Sequence, residues 1–275
     1  MSQIDNLFKQ LRLEKRKALM PFIPAGDPDL AFTEAILRQA VRSGASLCEV
    51  GIPYSDPIAD GPVIQSSYTR ALAGKVTLQG ILTMLKRVAP ELGAPLATMV
   101  SYATIYRHGL ASFVEKAQAA GVSGAIVPDL PVDEAEPLLT ICRAADFNLI
   151  QLVTPTTPVA RALRIAETST GFLYYVSVTG ITGQRNTLPA ELLENVAWLR
   201  EQTSLPICIG FGISQAEHIR TLAPVADGLI VGSALVQRFA GAERDRETAL
   251  AEAGKFLAEL HEAIQGVPQE AEDHH

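Results

Sequence analysis

The stretch Leu47-Cys-Glu-Val-Gly-Ile52 is a continuous apolar run that contains a single carboxylate, and the loop Pro53-Tyr-Ser-Asp-Pro-Ile-Ala-Asp-Gly-Pro62 follows it. A short apolar run of this kind is typical of a strand in a parallel sheet whose outer face is covered. An ionisable side chain inside such a strand is costly to bury unless it is paired or hydrogen-bonded. Glu49 is therefore the first residue in the chain for which we expect a chemical role.

Similar apolar runs recur along the chain and alternate with segments of helical character. Together with the first stretch they occupy residues 19–25, 47–52, 96–102, 124–129, 148–154, 172–179, 206–212 and 228–234. Strict alternation of eight strands with helices predicts an α/β fold of the (β/α)8 barrel type, the TIM barrel. An open doubly wound sheet is the alternative, but no G-x-G-x-x-G follows the first run.

Helical segments are expected near residues 29–43, 77–89, 110–120, 133–145, 158–168, 189–202, 214–223 and 243–264. Asp133 and Ser214 are predicted to cap two of them, and Pro189 is suited to a first helical turn. Apolar residues at helical spacing within residues 2–17 predict an extra N-terminal helix. We expect a single barrel domain over residues 1–265 and a disordered polar tail over residues 266–275.

Composition limits the partners and the compartment. The chain has 275 residues and a formal net charge of −7, which argues against a nucleic-acid partner. No run of about 18 apolar residues is present, so no membrane span is expected. The N-terminus lacks the pattern of a signal peptide, and three widely spaced cysteines suit a reducing compartment. These features predict a cytoplasmic protein.

Carboxylates at and after the second strand are the strongest candidates for chemistry. Glu49 is predicted to be a general acid or base whose pKa is raised by apolar neighbours; the alternative is a structural carboxylate paired with an arginine or with amides. Asp56 and Asp60 lie in the loop that follows, where one of them is expected to be only a turn residue. Asp129, at the end of the fourth run, is expected to orient a loop near Glu49.

Glycines late in the chain predict an anion site. They occur in Gly180-Ile-Thr-Gly183 after the sixth predicted strand, and in Gly210-Phe-Gly212 and Val231-Gly-Ser233 at the ends of the seventh and eighth. Backbone amides beside glycine can approach a phosphate closely, and the loops after strands seven and eight are the usual phosphate site of this barrel. Tight turns between strands and helices also need glycine, which is the alternative explanation.

Residue types that are missing from the strands narrow the chemistry further. All seven lysines fall in helical or loop segments, so no interior Schiff-base lysine is expected. His108, His218 and His261 are scattered, which is typical of surface or helix residues and does not predict a metal site. Proton transfer by carboxylates on a phosphorylated substrate remains. Aromatic residues near strand ends suggest that the substrate also carries an apolar group.

Several motifs of this sequence resemble those of a known family. The run from Glu49 to Gln65, Glu-Val-Gly-Ile-Pro-Tyr-Ser-Asp-Pro-Ile-Ala-Asp-Gly-Pro-Val-Ile-Gln, is similar to the signature of the tryptophan synthase α chain. Other stretches fit the same family in order: Pro21-Phe-Ile-Pro-Ala-Gly-Asp-Pro28, Val127-Pro-Asp-Leu-Pro131, Tyr174-Tyr-Val-Ser177 with Gly180-Ile-Thr-Gly183, and Gly210-Phe-Gly-Ile-Ser214.

The resemblance implies aldol cleavage of indole-3-glycerol phosphate to indole and glyceraldehyde 3-phosphate. It makes Glu49 the residue that moves protons, Asp60 the acceptor for the indole N–H, and Tyr174 the residue that positions Asp60. The phosphate would be held by Gly183, Gly212, Gly232 and Ser233. The indole pocket would be shaped by Phe22, Tyr102, Ile126, Thr182 and Phe211.

The resemblance also implies a partner. The family's α chain carries no cofactor of its own and forms an αββα complex with a β chain that holds pyridoxal phosphate and receives indole through a tunnel. Residues 53–60 would contribute to that interface, and residues 180–188 would form a mobile lid. Thr104 stands where the family often has Asn, and Val178 where some members carry Arg. Three alternatives stay open: a stand-alone lyase that releases free indole, a subunit that mainly activates its β chain, and another phosphosugar barrel enzyme such as an isomerase.

Overall fold

The computed structural model describes residues 1–57, 60–176, 190–210 and 212–266. Nine strand segments and the helices around them account for most of these residues. The strands are β1 (Ala18–Pro24), β2 (Cys48–Gly51), β3 (Leu96–Met99), β4 (Val122–Ile126), β5 (Asn148–Ile150), β6 (Leu152–Val153), β7 (Leu173–Val176), β8 (Ile207–Gly210) and β9 (Gly228–Val231). The helices are α1 (Gln3–Leu13), α2 (Leu30–Arg42), α3 (Pro62–Ala73), α4 (Leu78–Leu92), α5 (Tyr102–His108), α6 (Leu110–Ala119), α7 (Glu136–Ala144), α8 (Val159–Thr168), α9 (Ala190–Gln202), α10 (Ala216–Leu222), α11 (Ser233–Arg238) and α12 (Arg246–Gln265).

The strands form one parallel sheet that closes into a barrel. Their order across the sheet is β5-β4-β3-β2-β1-β9-β8-β7-β6. The two segments at the ends of this order, β5 and β6, are separated in the chain by Gln151 alone, so they continue one another and bring the sheet edges together. The predicted (β/α)8 barrel is confirmed, and the open sheet is wrong. The strand predicted over residues 148–154 is divided into these two segments.

The alternating direction of side chains along the strands separates two hydrophobic clusters. Leu47 belongs to the cluster that fills the barrel, whereas Cys48 and Val50 belong to the larger cluster between strands and helices. Because successive side chains of a strand point to opposite faces, Glu49 points into the barrel. The register places it beside Phe22 on β1 and Ala97 on β3.

Helix α1 closes the N-terminal end of the barrel. Its buried residues Ile4, Phe8 and Leu11 pack among interior side chains such as Phe172, whose ring centroid lies 5.7 Å from that of Phe8. Ser2 caps the helix by accepting from the Asp5 N–H at 3.1 Å, and the Asp5 side chain accepts from the Ser2 N–H at 3.0 Å. The predicted N-terminal helix is therefore confirmed as an interior plug.

The first residues of α1 are also bound to the sheet. The Asn148 side chain, at the start of β5, donates to Asp5 Oδ1 at 3.1 Å and accepts from the hydroxyl of Ser2. A buried amide with both of its groups paired fixes the position of the helix relative to the strands, because breaking either bond would leave a buried polar atom without a partner.

Several predicted boundaries are wrong for local reasons. The run predicted as a strand over residues 96–102 ends at Met99, because Ser101 caps α5 by accepting from the Thr104 N–H at 3.3 Å. The helices α3, α5 and α11 were not predicted. The strand predicted over residues 172–179 runs from Leu173 to Val176, and its last three residues lie outside the described part of the chain.

Neither predicted helix cap is formed. Asp133 lies in a short 3-10 helix, Val132–Glu134, and its carboxylate pairs with Arg164, so α7 begins only at Glu136. Ser214 is not the cap of α10 either, because that helix begins after Gln215, which has extended backbone angles. Pro189 and the predicted tail beyond residue 266 lie outside the described residues. None of the helices in the described part of the chain could cross a membrane.

Loss of the Phe8 ring should test the role of the plug. We expect Phe8→Ala to lower the free energy of unfolding by about 3–5 kcal/mol, because it leaves a cavity where the ring packs against Phe172. Lys9→Ala, at an exposed position on the same helix, should change it by less than about 0.5 kcal/mol. Urea unfolding of both variants measures the difference, and equal stabilities would contradict the assignment of α1 as a plug.

Candidate active site

Glu49 lies on β2 with its carboxylate inside the barrel. The residue is 0% exposed, and neither of its carboxylate oxygens has a hydrogen-bond partner among the described residues. Burial away from water therefore raises the pKa of Glu49 well above its ordinary value of 4.5. The structural alternative, a carboxylate paired with an arginine or with amides, is not what the described residues form. A protonated carboxyl group in this position can act as an acid.

Asp60 lies in the loop between β2 and α3. Burial raises the pKa of its carboxyl from 3.8 to about 6. The Asp60 N–H donates to the carbonyl of Pro57 at 3.1 Å, and the side-chain amide of Gln65 donates to the carbonyls of Asp60 at 2.7 Å and Pro57 at 3.3 Å. Gln65, in the first turns of α3, thus holds both ends of the segment that presents the Asp60 carboxylate.

Helix α3 is in turn anchored to the loop after β1. The buried carboxylate of Asp27 accepts from Arg70 Nε at 2.9 Å, from Arg70 Nη2 at 2.6 Å and from the Ser67 hydroxyl at 2.5 Å. A bidentate arginine contact to a buried carboxylate has a defined geometry, so it fixes the helix in position as well as stabilising it. The helix that carries Gln65 is therefore tied to the loop after β1.

Tyr174 lies on β7 and is buried in the barrel interior. Burial, together with the charges of Glu49 and Asp60, raises the pKa of its phenol well above 10.0. The ring lies against Gly210 of β8, where an added Cβ would come within 2.6 Å of Tyr174 Cε1. Glycine at position 210 is therefore what allows the tyrosine ring to lie between the strands, near both carboxylates.

Other predicted pocket residues lie at the same end of the barrel. Phe22, on β1, is buried below Gly232, where a Cβ would lie 3.8 Å from its ring, and beside Gly51. Ile126, the last residue of β4, is fully buried in the interior cluster. Tyr102 begins α5, and its N–H donates to the carboxylate of Asp129 at 2.7 Å. Asp129 thus orients a neighbouring loop, as predicted.

The predicted phosphate residues are only partly described. Gly212 follows β8 with φ +78°, a conformation that favours glycine; Gly232 lies between β9 and α11, and Ser233 is the first residue of α11. These two loops follow adjacent strands, so they lie side by side at the C-terminal end of the barrel. Thr182, Gly183, Phe211 and the predicted lid at residues 180–188 lie outside the described residues.

The remaining features of the described residues lie apart from this site. Asp56 is exposed and accepts from the Ser55 hydroxyl at 2.8 Å, as expected for a turn residue. A cavity of about 290 Å3 is lined by residues of the segments 26–30 and 74–80, and neither Glu49 nor Asp60 contributes to it. Within the described ranges, no group of three or more His, Cys, Asp or Glu side chains could hold a metal ion.

Sequence reasoning missed several residues that support the site. Gln65 lay within the stretch that was singled out, but its role depends on a side chain that reaches back along the helix. Asp27 and Arg70 are 43 positions apart in the sequence, so no local pattern connects them. His218 was interpreted as an ordinary helix residue, whereas its ring is buried and lies 3.1 Å from the carbonyl of Gly212.

The sequence and the fold of this chain are similar to those of known proteins. A sequence model described as tryptophan synthase alpha chain matches residues 8–265. The chain belongs to the tryptophan synthase alpha chain family. The resemblance that the motif at residues 49–65 indicated is therefore confirmed.

Relatives of the family match almost the whole chain. A tryptophan synthase alpha chain of Rhodopirellula baltica is 57% identical, with 96% of this chain and 99% of the relative covered. One of Geobacter sulfurreducens is 45% identical over 96% of this chain and 99% of the relative. The crystal structure of tryptophan synthase subunit alpha from Legionella pneumophila has a TM-score of 0.90 at 34% identity and covers 97% of this chain and 100% of that structure.

A ligand-free crystal structure of tryptophan synthase from M. tuberculosis has a TM-score of 0.86 at 29% identity, covering 96% of this chain and 100% of that chain. Agreement of the fold over such coverage means that the barrel described here is the family's barrel. The roles of individual side chains rest on the contacts described above.

The titration of Glu49 should make the free energy of unfolding depend on pH. An unfolded chain releases this proton near pH 4.5, whereas the folded chain keeps it to a higher pH. Between these two pKa values the folded state binds more protons, so the free energy of unfolding falls as the pH rises, by at most about 1.4 kcal/mol per pH unit. We expect the stability advantage of Glu49→Gln over the native chain to be smallest below pH 4.5 and to grow above it.

Urea unfolding at a series of pH values from about 4 to about 9 measures this advantage. Asp56→Asn, at an exposed position in the following loop, is the control and should follow the native chain. Native and Glu49→Gln curves that stay parallel over the whole range would mean that Glu49 is not buried as an uncompensated carboxyl.

Proposed function

We propose that this chain cleaves indole-3-glycerol phosphate to indole and glyceraldehyde 3-phosphate, as a carbon–carbon lyase of tryptophan biosynthesis. The observation that carries the proposal is the Glu49 carboxyl, fully buried in the barrel without a partner and accompanied by Asp60 and Tyr174. Membership of the tryptophan synthase alpha chain family supports the choice of substrate. Cleavage of this bond needs only proton transfers, which carboxyl groups can perform.

Glu49 would move the protons in both directions. In its protonated form it gives a proton to indole C3, which leaves positive charge on the ring. The resulting carboxylate then takes the proton of the glycerol hydroxyl next to the scissile bond. The carbon–carbon bond breaks, its electrons return to the ring as indole, and the hydroxyl carbon becomes the aldehyde. Glu49 ends protonated again, and its raised pKa favours that starting state.

Asp60 would be ionised where Glu49 is protonated, and it would have a different role. As a carboxylate it accepts a hydrogen bond from the indole N–H and stabilises the positive charge that develops on the ring. The pKa of about 6 means that it is mostly ionised at neutral pH. Tyr174, held between the strands beside Gly210, would keep Asp60 in position. Two carboxyl groups whose environments separate their pKa values can divide the roles of acid and anion.

The rest of the substrate would occupy the mouth of the barrel. The phosphate is assigned to Gly183, Gly212, Gly232 and Ser233, and the indole ring to a pocket formed by Phe22, Tyr102, Ile126, Thr182 and Phe211. The described loops after β8 and β9 support the phosphate assignment, since they lie side by side and Gly212 has the backbone angles that glycine favours. Glycines let the backbone amides approach the anion closely.

The proposed partner is a tryptophan synthase β chain in an αββα complex. Pyridoxal phosphate would belong to that chain, and no cofactor is assigned to this one. Tyr106 on α5 is 72% exposed and its ring is tilted against that of Tyr102 with centroids 6.2 Å apart, which gives an aromatic surface after β3. Thr104, which replaces the frequent Asn, pairs with the Ser101 hydroxyl at 2.9 Å. The three described cysteines are free and buried, which suits the proposed cytoplasmic location.

Replacement of the two carboxyl groups tests the mechanism. We expect Glu49→Gln to lower kcat for cleavage by about 100- to 10,000-fold, because the amide can neither give nor take the proton. In the native chain kcat/KM should fall as the pH drops below about 6, since Asp60 becomes protonated. Asp60→Asn should be slow at every pH and should lack this acidic limb. Indole release from the isolated chain is the measurement.

The same assay separates the alternatives. Asp56→Asn is the matched control and should retain activity, and a Glu49→Gln variant that retains it would contradict the proton-transfer role. A native chain that cleaves only in the presence of a β chain would favour a mainly activating subunit. A chain that cleaves alone and shows no complex with a β chain by gel filtration would favour a stand-alone lyase.

Ser233→Ala tests the phosphate assignment. The side chain is exposed, so its loss should not affect folding. We expect KM for indole-3-glycerol phosphate to rise by about 5- to 50-fold, because one hydrogen bond to a charged group is lost. Thr83→Ala removes an exposed hydroxyl from the outer helix α4 and should leave KM unchanged. An unchanged KM in Ser233→Ala would remove this residue from the phosphate site.

A further inference from the structure

His218 is buried beside the loop that follows β8. It lies in α10, is 6% exposed, and presents both ring nitrogens to polar atoms. Nδ1 lies 3.1 Å from the carbonyl oxygen of Gly212, and Nε2 lies 3.0 Å from Nε2 of Gln215. A buried imidazole with partners at both nitrogens has a defined orientation and protonation.

The partners determine which nitrogen carries the proton. The Gln215 amide nitrogen is a donor, so Nε2 of His218 accepts. Nδ1 then carries the hydrogen and donates it to the carbonyl of Gly212. The opposite tautomer would place a lone pair of Nδ1 against that carbonyl oxygen at 3.1 Å and would leave only the longer contact of 3.4 Å to the Ser214 N–H. A ring that carries its hydrogen on Nδ1 satisfies the two shorter contacts.

The hydrogen bond acts on a backbone that has unusual freedom. Gly212 has φ +78°, where glycine lacks the steric restraint of other residues. Fixing its carbonyl fixes the plane of the Gly212–Ile213 peptide. Because that unit is trans, the Ile213 N–H points away from the histidine ring. The orientation of this peptide in the loop after β8 is therefore set by a side chain that lies one helical turn beyond the loop.

We propose that His218 is a positioning residue of the phosphate-binding loop. It holds the Gly212 carbonyl toward α10 and so restrains the backbone of Gly212, the residue to which the phosphate is assigned, before the phosphate arrives. This inference rests on the proposed function, which assigns the phosphate to Gly212. A loop whose donors are fixed in advance binds an anion more tightly than one that must order them on binding.

If His218 only stabilised the fold, its loss would have a different effect on ligand binding than if it positions the loop. Loss of a structural contact lowers stability and leaves ligand affinity per folded molecule unchanged. Loss of a positioning contact weakens the binding of any phosphate ester. It should raise KM far more than it changes kcat, because the phosphate contacts are made equally in the ground state and the transition state.

The experiment compares two nearly isosteric variants of the full chain. His218→Asn keeps an N–H donor close to the position of Nδ1, whereas His218→Leu has the same shape and no donor. The probe is sn-glycerol 3-phosphate, and its Kd is measured by isothermal titration calorimetry on protein shown to be folded by circular dichroism. Glu217→Gln, an exposed change on the same helix, is the control.

We expect His218→Leu to raise the Kd and the KM by about tenfold with kcat within about twofold, and His218→Asn to restore most of the affinity. Equal Kd values in the Leu variant and the native chain would overturn the positioning role while leaving the phosphate site intact. A native chain that binds no glycerol phosphate would refute the phosphate site and this inference together. If the Leu variant does not fold, His218→Phe, which also lacks a donor, replaces it: a Kd raised about tenfold supports the role, and a native Kd contradicts it.

Discussion

A carboxyl group enclosed in an apolar barrel without a partner is the constraint on which the site depends. Glu49 gains nothing in stability from its position, since both of its oxygens are buried and unpaired among the described residues. The packing of the barrel has to offset that unfavourable contribution. It does so with an apolar interior that α1 closes at one end and that includes Tyr174, while Phe22 lies beside Glu49 in the register of β1 and β2. The same apolar surroundings raise the pKa of Glu49, so the destabilising feature and the chemical one have a single cause.

The second carboxyl group is placed by a different kind of interaction. Asp60 belongs to a loop, and its position comes from hydrogen bonds that continue from Gln65 through α3 to the ion pair of Arg70 with Asp27. Strand geometry fixes one group, and a polar network fixes the other. A site that needs two acids in different protonation states is served by this difference, because each environment sets its own pKa.

The barrel was predictable because its strands are buried on both faces and therefore read as continuous apolar runs. Glu49 was recognisable as the exception in such a run. The helix α3 was missed although Pro62 at its start is a usual first-turn residue, since the prolines before it indicated only a loop. His218 could not be assigned a role, because nothing in the sequence shows that its ring meets Gly212. The cap predicted at Asp133 failed because Arg164, distant in sequence, pairs with that carboxylate.

The plug formed by α1 affects how a product can leave the barrel interior. Ile4, Phe8 and Leu11 fill the end opposite to the loops that carry Asp60, Gly212 and Gly232. On the proposed function, a small apolar product released beside Glu49 would be separated from the other end of the barrel by these packed side chains, so in the described part of the chain it would leave past those loops. Whatever protein covers that opening receives the product before bulk water does. Helix α1 thereby gives the described barrel a direction, with apolar packing at one end and the proposed site at the other.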